Sequence, residues 1–318
     1  MSNSAIADQE TGSAGAVVHS MCVACGGEAK HAFRSFKTRT VSQCSSCGLQ
    51  WQNPQPSDAE LAEIYGTYYF IGSDDTDSRE RKLRIKQLTA QMYLDMIERY
   101  LSGLSKLTNS RGALLEVGSG QGEFLSEALN RGYSVTGVEY SHDACESARV
   151  TLSAQNPARD KFRIEQGALE AVNLTPASFD LCVMNDVIEH VREPQKTLAR
   201  VRELLKPGGV IFIATPSLNS WSAKLMGSLW MEYKDEHLFF FSNSSLTRIL
   251  EQNGFKLVAL KPGYKVLTLE YVAQHFEKFP VPGFSPLVKG GIGMLPRSLA
   301  RKPIKIVASG VIAMATAQ

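Results

Sequence analysis

Apolar positions along the chain follow two spacings. Short, nearly unbroken runs at Leu114-Leu115-Glu116-Val117 and Val210 to Thr215 have the length and continuity of buried strands. Ser134 to Val138, a stretch near Phe162 to Glu165, Phe255 to Leu260 and part of Ile304 to Ala315 read as further strands. Helical spacing governs Leu83 to Leu104, where Leu83, Ile85, Leu88, Met92, Leu94, Ile97, Tyr100 and Leu101 make one apolar face. A second helix lies between Pro194 and Pro207-Gly208-Gly209, with Leu198, Val201, Leu204 and Leu205 as its buried stripe. A third runs from about Asn243 to Asn253 and stops at Gly254. Ser57 and Glu60 form a capping box that starts another after Pro56.

The first strand runs into Gly118-Ser119-Gly120-Gln121-Gly122, and a helix begins near Glu123. Glycines suit a turn where a side chain would hold a ligand away from the backbone. The next strand ends at Glu139, about 20 residues after the turn, where a carboxylate is placed to accept from two ribose hydroxyls. Together these features describe a nucleoside-cofactor pocket. A dinucleotide fingerprint would need glycine at Glu123, and a carboxylate beside a pyrophosphate is unfavourable. The spacing suits a ligand with no phosphates and a zwitterionic tail, whose ammonium Glu116 is placed to meet.

This stretch resembles the first motif of class I S-adenosylmethionine-dependent methyltransferases. The resemblance continues through Gly167-Ala168-Leu169-Glu170, Ser178 to Asn185, Asp186-Val187-Ile188-Glu189-His190-Val191 and Leu205-Lys206-Pro207-Gly208-Gly209-Val210. The segment after Asn185, and the later E-H-L-x-x-F-S pattern at Glu236 to Ser242, are similar to the subgroup that includes ubiquinone-type O-methyltransferases. The resemblance implies an α/β fold: a Rossmann-like, seven-stranded mixed sheet with helices on both faces, closed by an antiparallel pair. It implies S-adenosylmethionine as cofactor, held by Glu116, Gly118, Ser119, Gly120, Gly122, Glu139, Tyr140, Ala168, Leu169 and Asn185. Alanine at position 168, where the family often has an acid, leaves adenine recognition to backbone and apolar contacts.

Cys22-x-x-Cys25 and Cys44-x-x-Cys47, with 18 residues between the pairs, have the spacing of a two-knuckle zinc site, and Gly26 and Gly48 follow the knuckles. Four thiolates close the coordination sphere, so the Zn²⁺ is expected to be structural, with Lys30, Arg34, Lys37 and Arg39 offsetting its charge. Two disulfides are the alternative; zinc fits a reducing compartment better.

The expected organisation is a disordered leader over 1–20, a zinc-ribbon-like module over 21–55, a helical connector or lid over 56–110, and the methyltransferase domain over 111–318 with an insert after the Val210–Thr215 strand. Tyr68-Tyr69-Phe70 would serve as a lid or pack against the domain. The insert's Trp221, Leu225, Met226, Leu229, Trp230 and Met231 read as an acceptor wall or as core. The leader has no basic region and is not a signal peptide. No apolar run reaches membrane-spanning length, and the expected location is the cytoplasm. Phe276 to Ala300 leaves open a cover for the site, a peripheral membrane contact, or the favoured reading of a solvated loop with one helix.

With 318 residues, 43% of them hydrophobic, the chain can bury one large core plus a small appendage. A net charge of +2 implies no strong field for nucleic acid, which argues against an RNA methyltransferase that grips RNA with its zinc module. The favoured function is methyl transfer to a small-molecule hydroxyl, of a sugar, a lipid headgroup or a natural product. A sugar C-methyltransferase and a non-catalytic cofactor-binding protein remain as alternatives. Of six histidines, His190 and His237 follow strands on the ligand face of the sheet. His237 is the favoured general base, with His190 and Asp186 as further catalytic candidates; structural hydrogen bonding is the plainer role for either histidine.

Overall fold

The computed structural model describes residues 10–12, 15–34, 40–64, 76–103, 111–156, 160–278, 280 and 283–318. The Tyr68-Tyr69-Phe70 cluster, Lys37, Arg39 and the start of the expected leader lie outside these residues. The rest of that leader is not the expected disordered arm, because Glu10–Gly12 (β1) and Ala16–Val18 (β2) pair antiparallel. Val17 and Gln55 exchange backbone hydrogen bonds of 3.3 and 2.7 Å, and the His19 N–H donates to Asn53 Oδ1 at 3.1 Å. These anchors are distant in sequence, which local composition cannot reveal.

Ala29–Arg34 (β3), Thr40–Cys44 (β4) and Gln50–Gln52 (β5) form an antiparallel meander. Asp58–Ile64 (α1) starts at the expected capping box, with Ser57 N–H donating to Glu60 Oε2 at 2.7 Å. Thr76–Gly103 (α2) carries the amphipathic stretch read from the sequence as far as Gly103; Leu104 lies outside the described residues.

The central elements alternate: Ala113–Val117 (β6), Glu123–Asn130 (α3), Ser134–Glu139 (β7), His142–Gln155 (α4), Phe162–Gln166 (β8), Phe179–Asn185 (β9), Pro194–Leu204 (α5) and Leu205–Pro216 (β10). After Trp221–Met226 (α6) come Phe239–Phe240 (β11), Asn243–Gln252 (α7) and Phe255–Leu267 (β12). Leu269–Lys278 (α8), Ser285–Gly293 (α9), Arg297–Ala300 (α10) and Ile304–Ala317 (β13) complete the chain. The loop with one helix expected near Phe276 to Ala300 is therefore mainly helical. Pro286 in the first turn of α9 and Pro296 at the cap of α10 start helices rather than break them.

Seven strands form one mixed sheet in the order β12-β13-β10-β9-β6-β7-β8, as expected. The five from β10 to β8 are parallel; β13 runs antiparallel to both β10 and β12. Successive residues face opposite layers. Leu181, Val183, Val210 and Phe212 join α2, α3 and α4 on one side, and Cys182, Met184, Ile211 and Ile213 join α5 and α7 on the other. Cys145 and Cys182 are buried in these layers as small apolar groups. Among the described residues no helix is long and apolar enough to cross a membrane.

A second sheet, β11-β5-β4-β3, crosses the boundary drawn between the cysteine module and the methyltransferase domain. Phe239 pairs with Trp51 and Phe240 with Gln50, and Trp51, Leu49, Cys22 and Cys44 share one core with α5 and α7. Phe240 is 1% exposed and meets the Tyr233 ring edge-on at 4.7 Å. Phe240→Ala is expected to cost about 3–5 kcal/mol, as other large-to-small core changes do. Urea denaturation followed by tryptophan fluorescence measures it, and a loss below about 1 kcal/mol would contradict a load shared across this sheet.

Candidate functional site

Gly118, Gly120 and Gly122 all have positive φ, 69°, 53° and 82°, so the turn after β6 folds back on itself before α3 begins at Glu123. A side chain at Gly118 would also meet Val187 Cγ2 at 2.5 Å. Several of the turn's amides are engaged: Gly118 and Ser119 donate to Val138 O at 2.8 and 3.3 Å, and Gly120 donates to Glu139 Oε2 at 2.9 Å. Glu139 Oε1 accepts from the Ser141 N–H at 2.9 Å, which fixes the carboxylate and leaves each oxygen a further lone pair.

Beside this turn lie three buried polar atoms with no hydrogen-bond partner: Glu116 Oε2, Ser119 Oγ and Asn185 Oδ1. They sit at the carboxyl ends of β6 and β9, where open parallel sheets bind ligands. Glu116 Oε1 is 3.5 Å from Asn185 Nδ2. Burial, and next the charge of Glu123, hold the Glu116 carboxyl well above its usual range. A cationic ligand group there would relieve that cost. Leu169 is buried beyond β8, whereas Ala168 and Tyr140 are exposed at the rim.

A second cluster follows β9 and β10. Asp186 takes a left-handed φ of 52°, and the chain turns through Ile188 to His190. Asp186 Oδ2 accepts from Lys265 Nζ at 2.6 Å. His190 Nδ1 lies 2.9 Å from Glu236 O and His237 Nδ1 lies 2.8 Å from Glu232 O. A carbonyl only accepts, so both rings carry their proton on Nδ1, and a neutral ring then presents a lone pair at Nε2. The rings meet edge-on with centroids 4.7 Å apart. Burial pushes the His190 pKa down to about 4, and burial followed by the charges of His190 and Lys234 holds His237 well below the usual range. Glu189 Oε2 accepts from Thr215 at 2.9 Å, while its buried Oε1 has no partner. Burial, then the charge of Asp186, push Glu189 up to about 8. Glu189, His190 and His237 bring their ligand atoms within 4.8 Å of one another, a set able to hold a metal ion.

The four cysteines form the other such set, with every Sγ within 4.8 Å of the rest. Cys22 and Cys47 Sγ are 3.5 Å apart, and Cys25 and Cys44 Sγ 3.4 Å apart, far beyond a disulfide's length of about 2.05 Å. A tetrahedral Zn²⁺ with bonds of about 2.3 Å separates its sulfurs by about 3.8 Å, so the arrangement fits. Gly26 and Gly48, at φ 70° and 73°, close the knuckles. Burial acts to raise the Cys44 thiol, but the amides of Cys47 and Ser46 bring it down to about 7.

Residues 88–260 match the family described as a methyltransferase domain. The chain belongs to that family. It is similar to ubiquinone biosynthesis O-methyltransferases, with 31% identity over 156 residues to that of Azoarcus sp. (strain BH72) and 30% over 124 residues to that of Pasteurella multocida (strain Pm70). The alignments cover 46% and 36% of this chain and span 65% and 51% of those proteins' length. Malonyl-[acyl-carrier protein] O-methyltransferase of Paenibacillus sp. (strain JDR-2) is 23% identical over 63% of this chain and 78% of its own. A crystal structure from Bacillus halodurans C-125, described as a methyltransferase, shares the fold with a TM-score of 0.50 at 16% identity, over 69% of this chain and 97% of that one.

Within this methyltransferase domain the structure brings Glu116, Ser119, Gly120, Glu139 and Asn185 to one cradle and Asp186, His190 and His237 to the adjoining cluster. The expected acceptor wall divides. Trp230 is buried with Val41, Tyr233 and Phe240 against the cysteine module, whereas Trp221 and Leu225 are 56% and 66% exposed. Sequence reasoning missed Gln52, Glu232, Lys234 and Lys265. Glu232 carried a signal, as a charge inside the apolar Trp230 to Tyr233 stretch; it accepts from Ser309 Oγ at 2.7 Å and pairs with Lys234 at 3.0 Å. Lys265 lies beyond an irregularity between Pro262 and Tyr264 that extends β12 past its expected end. Nothing local marked Gln52.

Proposed function

We propose that this chain transfers a methyl group from S-adenosylmethionine to a hydroxyl oxygen of a small molecule. The observation that carries the reading is the cradle: three orphaned buried polar atoms beside a tight glycine turn. It suits a nucleoside with a cationic amino-acid tail and does not suit a dinucleotide. The bound cofactor supplies an activated methyl on a sulfonium. Glu139 accepts from the ribose hydroxyls, Glu116 and Asn185 meet the tail, and Leu169 and Tyr140 border the adenine. His237 receives the acceptor's proton at Nε2, and His190 and Asp186 shape the floor below it. The relatives' names support oxygen as the accepting atom. A histidine of such low proton affinity calls for an acidic hydroxyl, of the phenol class. The four thiolates hold one structural Zn²⁺, and their reduced state supports a cytoplasmic location.

Three measurements test this. Glu139→Ala should weaken S-adenosylhomocysteine binding several-fold to a hundredfold in calorimetry, about 1–3 kcal/mol for hydrogen bonds to a charged group. Unchanged affinity, or tight NAD binding by the wild type, would refute the cofactor assignment. Metal analysis of purified protein should find about one zinc per chain, and less in Cys44→Ser; a metal-free wild type removes zinc from the account. His237→Ala should lower kcat by about 10²–10⁴-fold with cofactor affinity nearly unchanged. Full turnover by that variant would exclude His237 as base.

The unpartnered Glu189 Oε1 favours a second reading, in which Glu189, His190 and His237 hold a divalent cation that acidifies the acceptor hydroxyl. Turnover stimulated by Mg²⁺ or Mn²⁺ in wild type and unstimulated in Glu189→Gln would select it over base catalysis.

A further inference from the structure

Gln52 lies in β5, five residues beyond Cys47, the last cysteine of the module, and is 1% exposed. Its side chain does not point into its own module. Nε2 lies 2.8 Å from Lys234 O, 3.1 Å from Asp235 O and 2.8 Å from His237 O, and its backbone N–H donates to Leu238 O at 3.0 Å. The same loop supplies the two carbonyls that hold the histidines, Glu232 O for His237 and Glu236 O for His190. Residues 232–238 form neither helix nor strand, so no regular ladder sets the direction of these carbonyls. Two turn bonds within the loop help to do so, from the Lys234 N–H to Glu232 O at 2.8 Å and from the His237 N–H to Lys234 O at 3.2 Å, and from outside it the two hydrogens of the Gln52 side-chain amide are shared among three carbonyls.

We infer that Gln52 is a positioning residue: it carries the geometry of the four-cysteine module into the loop that fixes the tautomer and orientation of His190 and His237. The inference rests on the proposed reading in that the pair faces the acceptor. The module is then part of the acceptor site and not an independent appendage. Its grip begins at the second knuckle, where Ser242 Oγ and Ser244 Oγ donate to Cys47 O at 3.3 and 3.0 Å. It runs along the pairing of β5 with β11 and ends at Gln52. A change in the knuckles reaches the histidines by this route without contact between them.

The test uses the full chain labelled with ¹⁵N-histidine and long-range ¹H–¹⁵N correlation spectra. In wild type, His190 and His237 should each give the pattern of a ring protonated at Nδ1 only. Gln52→Met keeps the shape and removes the donors. It should convert His237 to a mixed-tautomer pattern, leave the exposed His142 unchanged, and alter S-adenosylhomocysteine affinity by less than about twofold. Gln52→Asn keeps the amide but falls one methylene short of the loop; it should give the same change and carries the test if the methionine variant does not fold. Unchanged His190 and His237 patterns in the folded variant would overturn the inference. The readout needs no acceptor. Fixed wild-type tautomers in a protein that methylates nothing would count against the proposed function alone.

Discussion

A largely buried loop must satisfy its own backbone, and the stretch from Glu232 to Leu238 meets that constraint partly with turn bonds of its own and partly with partners from elsewhere. Two donors are histidine rings, one amide comes from Gln52, and the N–H groups of Leu238 and Phe239 return to Glu189 O at 2.8 and 3.1 Å. The His237 bond to Glu232 O closes a turn within the loop; the others join parts of the chain that are remote in sequence: the cysteine module, the turn after β9, and the insert after β10. A one-residue slip of β11 against β5 would turn Phe239 and Phe240 to the wrong faces and misplace every one of these donors. The apolar residues on either side make such a slip costly, since Phe239 packs into the α5 and α7 layer and Phe240 into the cluster with Trp230.

The cofactor cradle is governed by the opposite condition. There the fold leaves polar groups unsatisfied. A buried carboxyl without a partner is destabilising, and Glu116 stands near the further charges of Glu123 and Glu139. Lys86, bonded to Glu123 at 2.6 Å, offsets part of this charge from the surface of α2. What remains is a concentration of negative charge and acceptor atoms at the end of β6. A cation with hydroxyl groups lowers the energy of that arrangement, and an anion raises it. Selectivity against phosphates therefore follows from the site's own electrostatics.

The parts legible in the sequence are those fixed by local rules. The glycine turn, the acidic end of β7, the alternation of strands with helices, the capping box at Ser57 and the knuckle spacing each depend on residues a few positions apart. The β-strand β11 was not legible, because two aromatic residues have no strand signal until Trp51 and Gln50 pair with them. The same holds for the left-handed backbone of Asp186, and for Lys265, which reaches it from 79 residues away. The split fate of the insert's aromatics was equally hidden. Trp221 and Trp230 differ in burial because only the second faces the cysteine module, and spacing within the insert says nothing of that neighbour.

The low proton affinity of the histidine pair argues about the acceptor. Burial holds the proton affinity of His190 and of His237 below that of a free imidazole, so a phenol, which ionises near pH 10, gives up its proton to this cluster only against a gradient. For an aliphatic alcohol the gap is wider still. The cations that act on the cluster change the comparison. The charge of Lys234 lowers the affinity of both histidines, and the same positive field lowers the pKa of a hydroxyl brought beside them. Donor and acceptor then shift in the same direction, and the difference between them changes less than either value alone. Proton loss can accompany carbon–oxygen bond formation and need not precede it, because the oxygen becomes far more acidic as it is alkylated. In such a late transfer the decisive property of His237 is an Nε2 lone pair held in place, and that is the property secured by the bonds to the loop.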